Sequence, residues 1–205
     1  MNLHFTEATA LAIIDRQLEE LERVPPAQYE IIRQVIYHTA DLEYKSLLKF
    51  SQGALAKGAA ALTATMPIVV DVPDIQVNIV PKLQQTFGNP VYCCATSGTV
   101  TAKQTKAANG LKVLAREHPE SIFIIGKDAT AMSALLELIQ NKAIDPSLVI
   151  LTPPSFSKPN LEQLLTNSTV PYIGIDSSKG GTNVASAIFN GLLAMTWRVN
   201  RQDRL

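Results

Sequence analysis

The chain has 205 residues, 46% of them hydrophobic and 18% charged, which allows one sizeable core and excludes an intrinsically disordered protein. Eighteen basic residues offset eighteen acidic ones. A formal charge of zero gives no basis for broad binding to nucleic acid or to a membrane surface.

In chain order, Ala8 to Glu22 has the spacing of an amphipathic helix, which Val24-Pro25-Pro26 stops. Gln28 to His38 predicts a second helix, and the alanine-rich stretch Gln52 to Leu62 a third. This helical lead-in predicts a cap on the domain or a dimerisation element. From Pro67 onward the pattern changes. Branched apolar runs recur at Pro67 to Asp71, Pro90 to Ala95, Ser121 to Ile125, Leu148 to Leu151 and Pro171 to Ile175. Apolar runs without alternation suit strands covered on both faces, as in a parallel sheet. The stretches between them have helical spacing. Ala131, Leu135, Leu138 and Ile139 share one face of Ala129 to Gln140, and Val184, Ile188, Leu192 and Met195 share another near the C-terminus. Strands alternating with helices predict an α/β fold: a three-layer α/β/α sandwich with a mainly parallel sheet behind an N-terminal helical segment. We expect one domain over residues 1–205, with no internal repeat. Thr152 to Pro159, with three prolines, predicts a loop, and Arg198 to Leu205 a frayed tail.

The two cysteines, Cys93 and Cys94, are adjacent, a spacing that suits a disulfide poorly. No third cysteine or nearby histidine completes a zinc set, so no metal is expected. In the run Val91-Tyr92-Cys93-Cys94-Ala95 they read as buried reduced thiols, which favours a reducing compartment. Met1 to Glu22 lacks the basic start and apolar stretch of a signal peptide. No segment offers the roughly 18 apolar residues of a membrane helix. The expectation is a cytoplasmic protein without membrane association.

In an open parallel sheet, ligands bind beyond the carboxyl ends of the strands. Three strands run into loops with glycine and hydroxyl residues: Thr96-Ser97-Gly98-Thr99, Gly126-Lys127-Asp128-Ala129-Thr130, and Asp176-Ser177-Ser178-Lys179-Gly180-Gly181-Thr182-Asn183. Glycine lets the backbone approach a ligand, and free N–H groups at a helix start favour anions. For any one loop, a glycine in a tight turn is explanation enough. Three on one edge, with Lys127 and Lys179, point to a ligand rich in anionic groups. Nucleotide motifs fail: no glycine precedes Gly126-Lys127 at the Walker spacing, no G-x-G-x-x-G follows a strand, and no G-x-S-x-G elbow is present.

Of three histidines, His4 lies near the terminus and His118 precedes Pro119 in a turn. His38 stands in Tyr37-His38-Thr39-Ala40-Asp41, where a carboxylate nearby suits it to proton transfer. Taken alone, such a histidine is more often a helix cap or a satisfied structural residue than a catalytic one.

These segments together resemble the precorrin-8X methylmutase family. Val35-Ile36-Tyr37-His38-Thr39-Ala40-Asp41 is similar to its V-I-H-x-T-A-D stretch. Gly126-Lys127-Asp128-Ala129-Thr130-Ala131 followed by Leu135-Leu136-Glu137 resembles G-N-A-P-T-A…L-L-E. Lys179-Gly180-Gly181-Thr182-Asn183-Val184-Ala185 resembles R-K-G-G-S-x-V-A, preceded by Val170-Pro171-Tyr172 as in the family, and Thr105-Lys106-Ala107 falls at its T-R-S.

The resemblance implies a homodimeric isomerase of cobalamin biosynthesis. The family moves a methyl group between adjacent ring carbons of precorrin-8X, giving hydrogenobyrinic acid without a dissociable cofactor. It further implies that a histidine protonates the macrocycle, a role for His38 with Tyr37 and Asp41 orienting it. Lys106, Lys127, Lys179 and the backbone at Gly126, Gly180 and Gly181 would hold the carboxylates of this tetrapyrrole, and Thr39, Asp41 and Thr182 would also contact the substrate. Without a gap, the family's histidine position is Tyr37, and His38 follows about 100° further round a helix. Lys106 replaces an arginine and so lacks its planar fork, Ser178 replaces another, and the family's P-V-G-F-V-G-A-A-E-S-K loop is Pro153 to Asn160. Two alternatives follow: a tetrapyrrole-binding paralogue that lost the chemistry, and an enzyme for another phosphorylated or carboxylated small molecule.

Overall fold

A computed structural model describes residues 5–18, 24–100, 104–152, 165, 168–175 and 177–202. Helix α1 covers Phe5–Gln17, α2 Pro26–Thr39 and α3 Tyr44–Leu47, followed by strand β1, Leu48–Phe50, and helix α4, Ala54–Thr63. Then come β2 (Ile68–Val70), α5 (Pro73–Gln84), β3 (Val91–Cys93), α6 (Cys94–Ser97) and α7 (Lys106–Glu117). The chain continues with β4 (Ile122–Ile125), α8 (Ala129–Gln140), β5 (Leu148–Leu151), β6 (Tyr172–Ile175) and α9 (Thr182–Gln202).

The six strands form one sheet in the order β1-β6-β5-β4-β2-β3. All neighbours are parallel except β1, which runs antiparallel to β6 with Leu48 opposite Ile175. The expected α/β architecture with a mainly parallel sheet is therefore present. Each of the five apolar runs contains a strand, but Cys94 and Ala95 of the second open helix α6. The strand side chains divide by the period of two that every strand imposes. Ile68, Val70, Ile122, Ile124, Leu148, Ile150, Ile173 and Ile175 pack on one face beneath α2, α4, α5 and α9. Val69, Phe123, Ile125, Val149 and Leu151 pack on the other beneath α7 and α8. No residue of β2, β4 or β5 reaches solvent, which explains why these strands lack polar alternation.

The lead-in differs from the purely helical expectation. Leu48–Phe50 is an edge strand, tied on by the Ser51 hydroxyl accepting from the Tyr172 amide at 2.7 Å. Three residues carry too little pattern to read as a strand. The second helix begins two residues earlier than predicted, because Pro26 has the fixed φ of a first helical turn and needs no N–H there. The first begins at Phe5, and residues 19–22 of its predicted span lie outside the described ones. The C-terminal stretch expected to fray is helical through Gln202. Arg198 anchors it, reaching Glu30 of α2 at 2.9 Å, and residues 203–205 lie outside the described ones. Cys93 and Cys94 are buried free thiols, as expected, and burial pushes Cys94 far up from an ordinary thiol pKa.

Phe123 fills the centre of the α7/α8 layer with no exposed surface. Phe123→Ala is expected to cost about 3–5 kcal/mol in a urea melt, the usual range for an aromatic cavity in a core that cannot collapse.

Candidate functional site

Strand order sets the location. From β2 the chain goes outward to β3 and then crosses back to β4 on the other side of β2. The crevice between β2 and β4, at their carboxyl ends, is the switch point where this architecture binds ligands.

Asp71 leaves β2 at that point with no exposed surface. Its Oδ2 accepts the amides of Lys127 at 2.7 Å and Asp128 at 2.8 Å, in the loop that follows β4. Its backbone is fixed on both sides, N–H to the Ile124 carbonyl and carbonyl to the Ala95 amide, each at 3.1 Å. Burial raises the Asp71 pKa, opposed by the backbone donors of Asp128, Lys127 and Gly126 and assisted by the charge of Asp128. Its Oδ1 is buried without a hydrogen-bond partner among the described residues. Sequence reading missed this residue. The available signal was an aspartate closing an otherwise apolar run.

Asp128 caps α8, its Oδ1 accepting the Ala131 amide at 2.8 Å. Gly126 is required by close approach, since a Cβ there would lie 2.7 Å from Ile75 Cδ1 and 3.1 Å from Thr182 Cα. The first turn of α9 thus rests directly on the β4 loop. Lys127 is exposed beside it.

The β5 and β6 exits are joined reciprocally. The Gly181 amide donates to the Thr152 carbonyl at 2.6 Å, and the Thr152 hydroxyl donates to the Gly181 carbonyl at 3.1 Å. Gly181 has φ +127°, a backbone open to glycine and strained for other residues. Gly180 donates to the Ser178 carbonyl, and Thr182 begins α9.

The last turn of α2 lies at the same edge. Ala40 ends the helix in the left-handed conformation, φ 55°, and turns the chain into Asp41. Asp41 Oδ2 meets Lys179 Nζ at 2.6 Å, and Glu43 Oε2 meets the same ammonium at 2.8 Å. The hydrogen bond from Lys179 and the Glu43 amide hold the Asp41 carboxyl below its ordinary range, and both carboxylates push Lys179 up. The Tyr44 hydroxyl adds a bond to the Lys179 carbonyl at 3.4 Å. Thr39 is turned back on its helix, its hydroxyl donating to the Val35 carbonyl at 2.8 Å.

His38 is exposed on this turn, with Nδ1 2.8 Å from the Gln34 carbonyl. A carbonyl only accepts, so Nδ1 carries hydrogen and Nε2 is the nitrogen left for a ligand. The Tyr37 ring, half-buried, stands edge-on to His38 with centroids 5.2 Å apart. The orienting partners of His38 are thus Gln34 and Tyr37. Asp41, expected to orient it, is engaged by Lys179.

The structure gathers Tyr37, His38, Thr39, Asp41, Lys179, Gly180, Gly181 and Thr182 along one rim and joins them to Gly126 and Lys127 through the Thr182 contact. Lys106 belongs to the other layer of this architecture. It is the first residue of α7, after the Thr105 hydroxyl that caps this helix. Residues 153–159 of the predicted loop, with Asp176, lie outside the described ones. Two hollows lie away from this edge: one of about 880 Å³ between α2, α4 and α9, and one of about 550 Å³ beside Pro119, Lys142, Ile144 and Val170. Among the described residues there is no cluster of metal-ligating side chains, and no helix is long and apolar enough to cross a membrane.

The family profile described as precorrin-8X methylmutase matches residues 6–195. The chain belongs to the precorrin-8X methylmutase family. It is 30% identical to the cobalt-precorrin-8 methylmutase of Synechocystis sp., over 92% of this chain and 94% of that one. It is also 30% identical to the precorrin-8X methylmutase of Pseudomonas aeruginosa, over 84% and 86%. The crystal structure of a precorrin-8X methylmutase from Thermus thermophilus superposes with a TM-score of 0.84 at 29% identity, covering 95% of this chain and 96% of that one. Family membership thus covers the sheet, the α2 rim and the α9 start alike.

The raised pKa of Asp71 has a definite sign in stability. An unfolded aspartate titrates near 3.9, so between about 3.9 and the folded value the fold holds a proton that the unfolded chain has released. Stability falls as pH rises through that window and is level above it. Asp71→Asn removes this slope. Its stability relative to the parent should therefore be most favourable at pH 8 and decline as pH falls, a trend that thermal melts across pH would read.

Proposed function

We propose that this chain is a methylmutase of cobalamin biosynthesis, shifting a methyl group between adjacent ring carbons of precorrin-8X to give hydrogenobyrinic acid. The observation that carries the reading is the family match over residues 6–195, whose motif positions at Tyr37 to Asp41, Gly126 and Lys179 to Thr182 fall on one edge of the sheet. The shift is intramolecular and needs no methyl donor.

In this reading His38 is the proton donor to the macrocycle. Nδ1 is fixed by the Gln34 carbonyl, so the proton moves from Nε2 and returns there once the methyl group has moved. Tyr37 steadies the imidazole from the side. Lys127 and Lys179, with the backbone at Gly180 to Thr182, meet the acetate and propionate carboxylates, and Gly126, Thr39, Asp41 and Lys106 complete the substrate-binding set. Lys179 is already neutralised by Asp41 and Glu43, so a substrate carboxylate joins or displaces an existing pair. The reading includes a cytoplasmic homodimer. The apolar-lined hollow between α2, α4 and α9, with Leu55, Ala56, Ala59 and Met195 on its walls, supports a second copy.

Absorbance assays with precorrin-8X and with cobalt-precorrin-8 test the proposal. The parent should convert substrate, and His38→Ala should lose about 10²–10⁴-fold in kcat with product binding retained. Undiminished turnover in His38→Ala would transfer the proton role to Tyr37. Tight binding by the parent without conversion would make it a tetrapyrrole-binding protein. Lys179→Ala should weaken product binding more than it slows turnover, and an unchanged Kd would remove Lys179 from the carboxylate set.

A further inference from the structure

The β4 loop is built like an anion site, with successive amides of Lys127 and Asp128 converging where α8 begins. Those amides are occupied. Asp71 places its own carboxylate between them at 2.7 and 2.8 Å, and Asp128 takes the Ala131 amide at 2.8 Å. An incoming carboxylate therefore finds in this loop the Lys127 ammonium, with these amides already engaged. Burying a carboxylate is costly unless hydrogen bonds replace its lost hydration, and here Oδ2 takes the Lys127 and Asp128 amides while Oδ1 has no hydrogen-bond partner among the described residues.

We propose that Asp71 is a positioning residue for substrate binding: its carboxylate serves as a resident anion that fixes the course of Gly126 to Asp128 and so sets where Lys127 meets the ligand. This rests on the methylmutase reading above. Two features carry it. The carboxylate grips the backbone of Lys127 itself and of the next residue, so movement of this loop and loss of these bonds are the same event. Gly126, one residue earlier, lies against Thr182 at the start of α9, so the same anchor aligns two parts of the rim.

The test combines Asp71→Ala, Asp71→Asn, Lys127→Ala and the Asp71/Lys127 double variant, with hydrogenobyrinic acid as the binding probe and precorrin-8X as substrate. Asp71→Ala should raise Kd and KM by about tenfold while kcat stays within about threefold, because the loop binds and does not react. Asp71→Asn, which keeps the shape and one acceptor, should show a smaller rise and serves if the alanine variant does not fold. Lys127→Ala should weaken binding in the parent but add less than about twofold in an Asp71 variant, since both changes remove one interaction. Added formate, small enough to replace the lost carboxylate, should restore both binding and melting temperature in Asp71→Ala. Additive losses, or a lowered melting temperature with unchanged Kd, would reduce Asp71 to a structural residue. A parent that binds no tetrapyrrole would refute the substrate assignment and this role with it. Binding by the parent with additive losses would refute the role alone.

Discussion

A parallel sheet buried on both faces constrains everything else in this protein. Each strand must be followed by a crossover that covers one face, and successive parallel strands therefore discharge their chain at the same edge. That is why Asp71, Lys127, Thr152 and Lys179, far apart in sequence, follow four strand ends and share a neighbourhood. The antiparallel β1 makes the one exception useful. Because it runs the other way beside β6, with Leu48 opposite Ile175, the segment leading into it arrives at the carboxyl edge. Thr39 to Tyr44 is delivered to the functional rim by an edge strand of three residues.

Charge is handled in two distinct ways along this rim. Asp71 is sealed from water and takes its hydrogen bonds from backbone amides, so its position is fixed and its ionised form is disfavoured by desolvation. Asp41, Glu43 and Lys179 form a partly exposed triad whose stabilisation is small and screened by salt. The first arrangement suits a fixed scaffold, and the second suits groups that exchange partners when an anionic ligand arrives.

The strands were legible because burial on two faces leaves an uninterrupted branched apolar run, the pattern at Ser121 to Ile125 and Leu148 to Leu151. Helix α8 was legible to its ends because Asp128 is a side-chain cap and its apolar residues repeat on one face. The loops after β4 and β6 were legible as glycine and hydroxyl segments at strand ends, whereas Thr96 and Ser97, read the same way, close the short helix α6 with their hydroxyls turned to the Cys93 carbonyl. What sequence could not carry depended on distant partners. β1 exists through pairing with β6, the last helical turns of α9 through Arg198 and Glu30, and the grip of Asp71 through amides in the loop after another strand. The orientation of His38 was hidden for the opposite reason: its partner, the Gln34 carbonyl, is one turn away, but backbone acceptors are present in every helix and no residue type marks them.

Helix α2 lies along α9, with Gly191 facing Ile31 and Gln34, while the sheet between them in sequence is completed independently of that contact. Closing so long a stretch of chain is entropically expensive and slow relative to the local βα pairings. On a ribosome, α2 emerges early with only its neighbours α1 and α3 to rest on until nearly all the remaining chain has followed. The helix bearing His38 is therefore among the last elements to be seated, and a nascent chain arrested before α9 would hold a sheet and most of its loops but no rim.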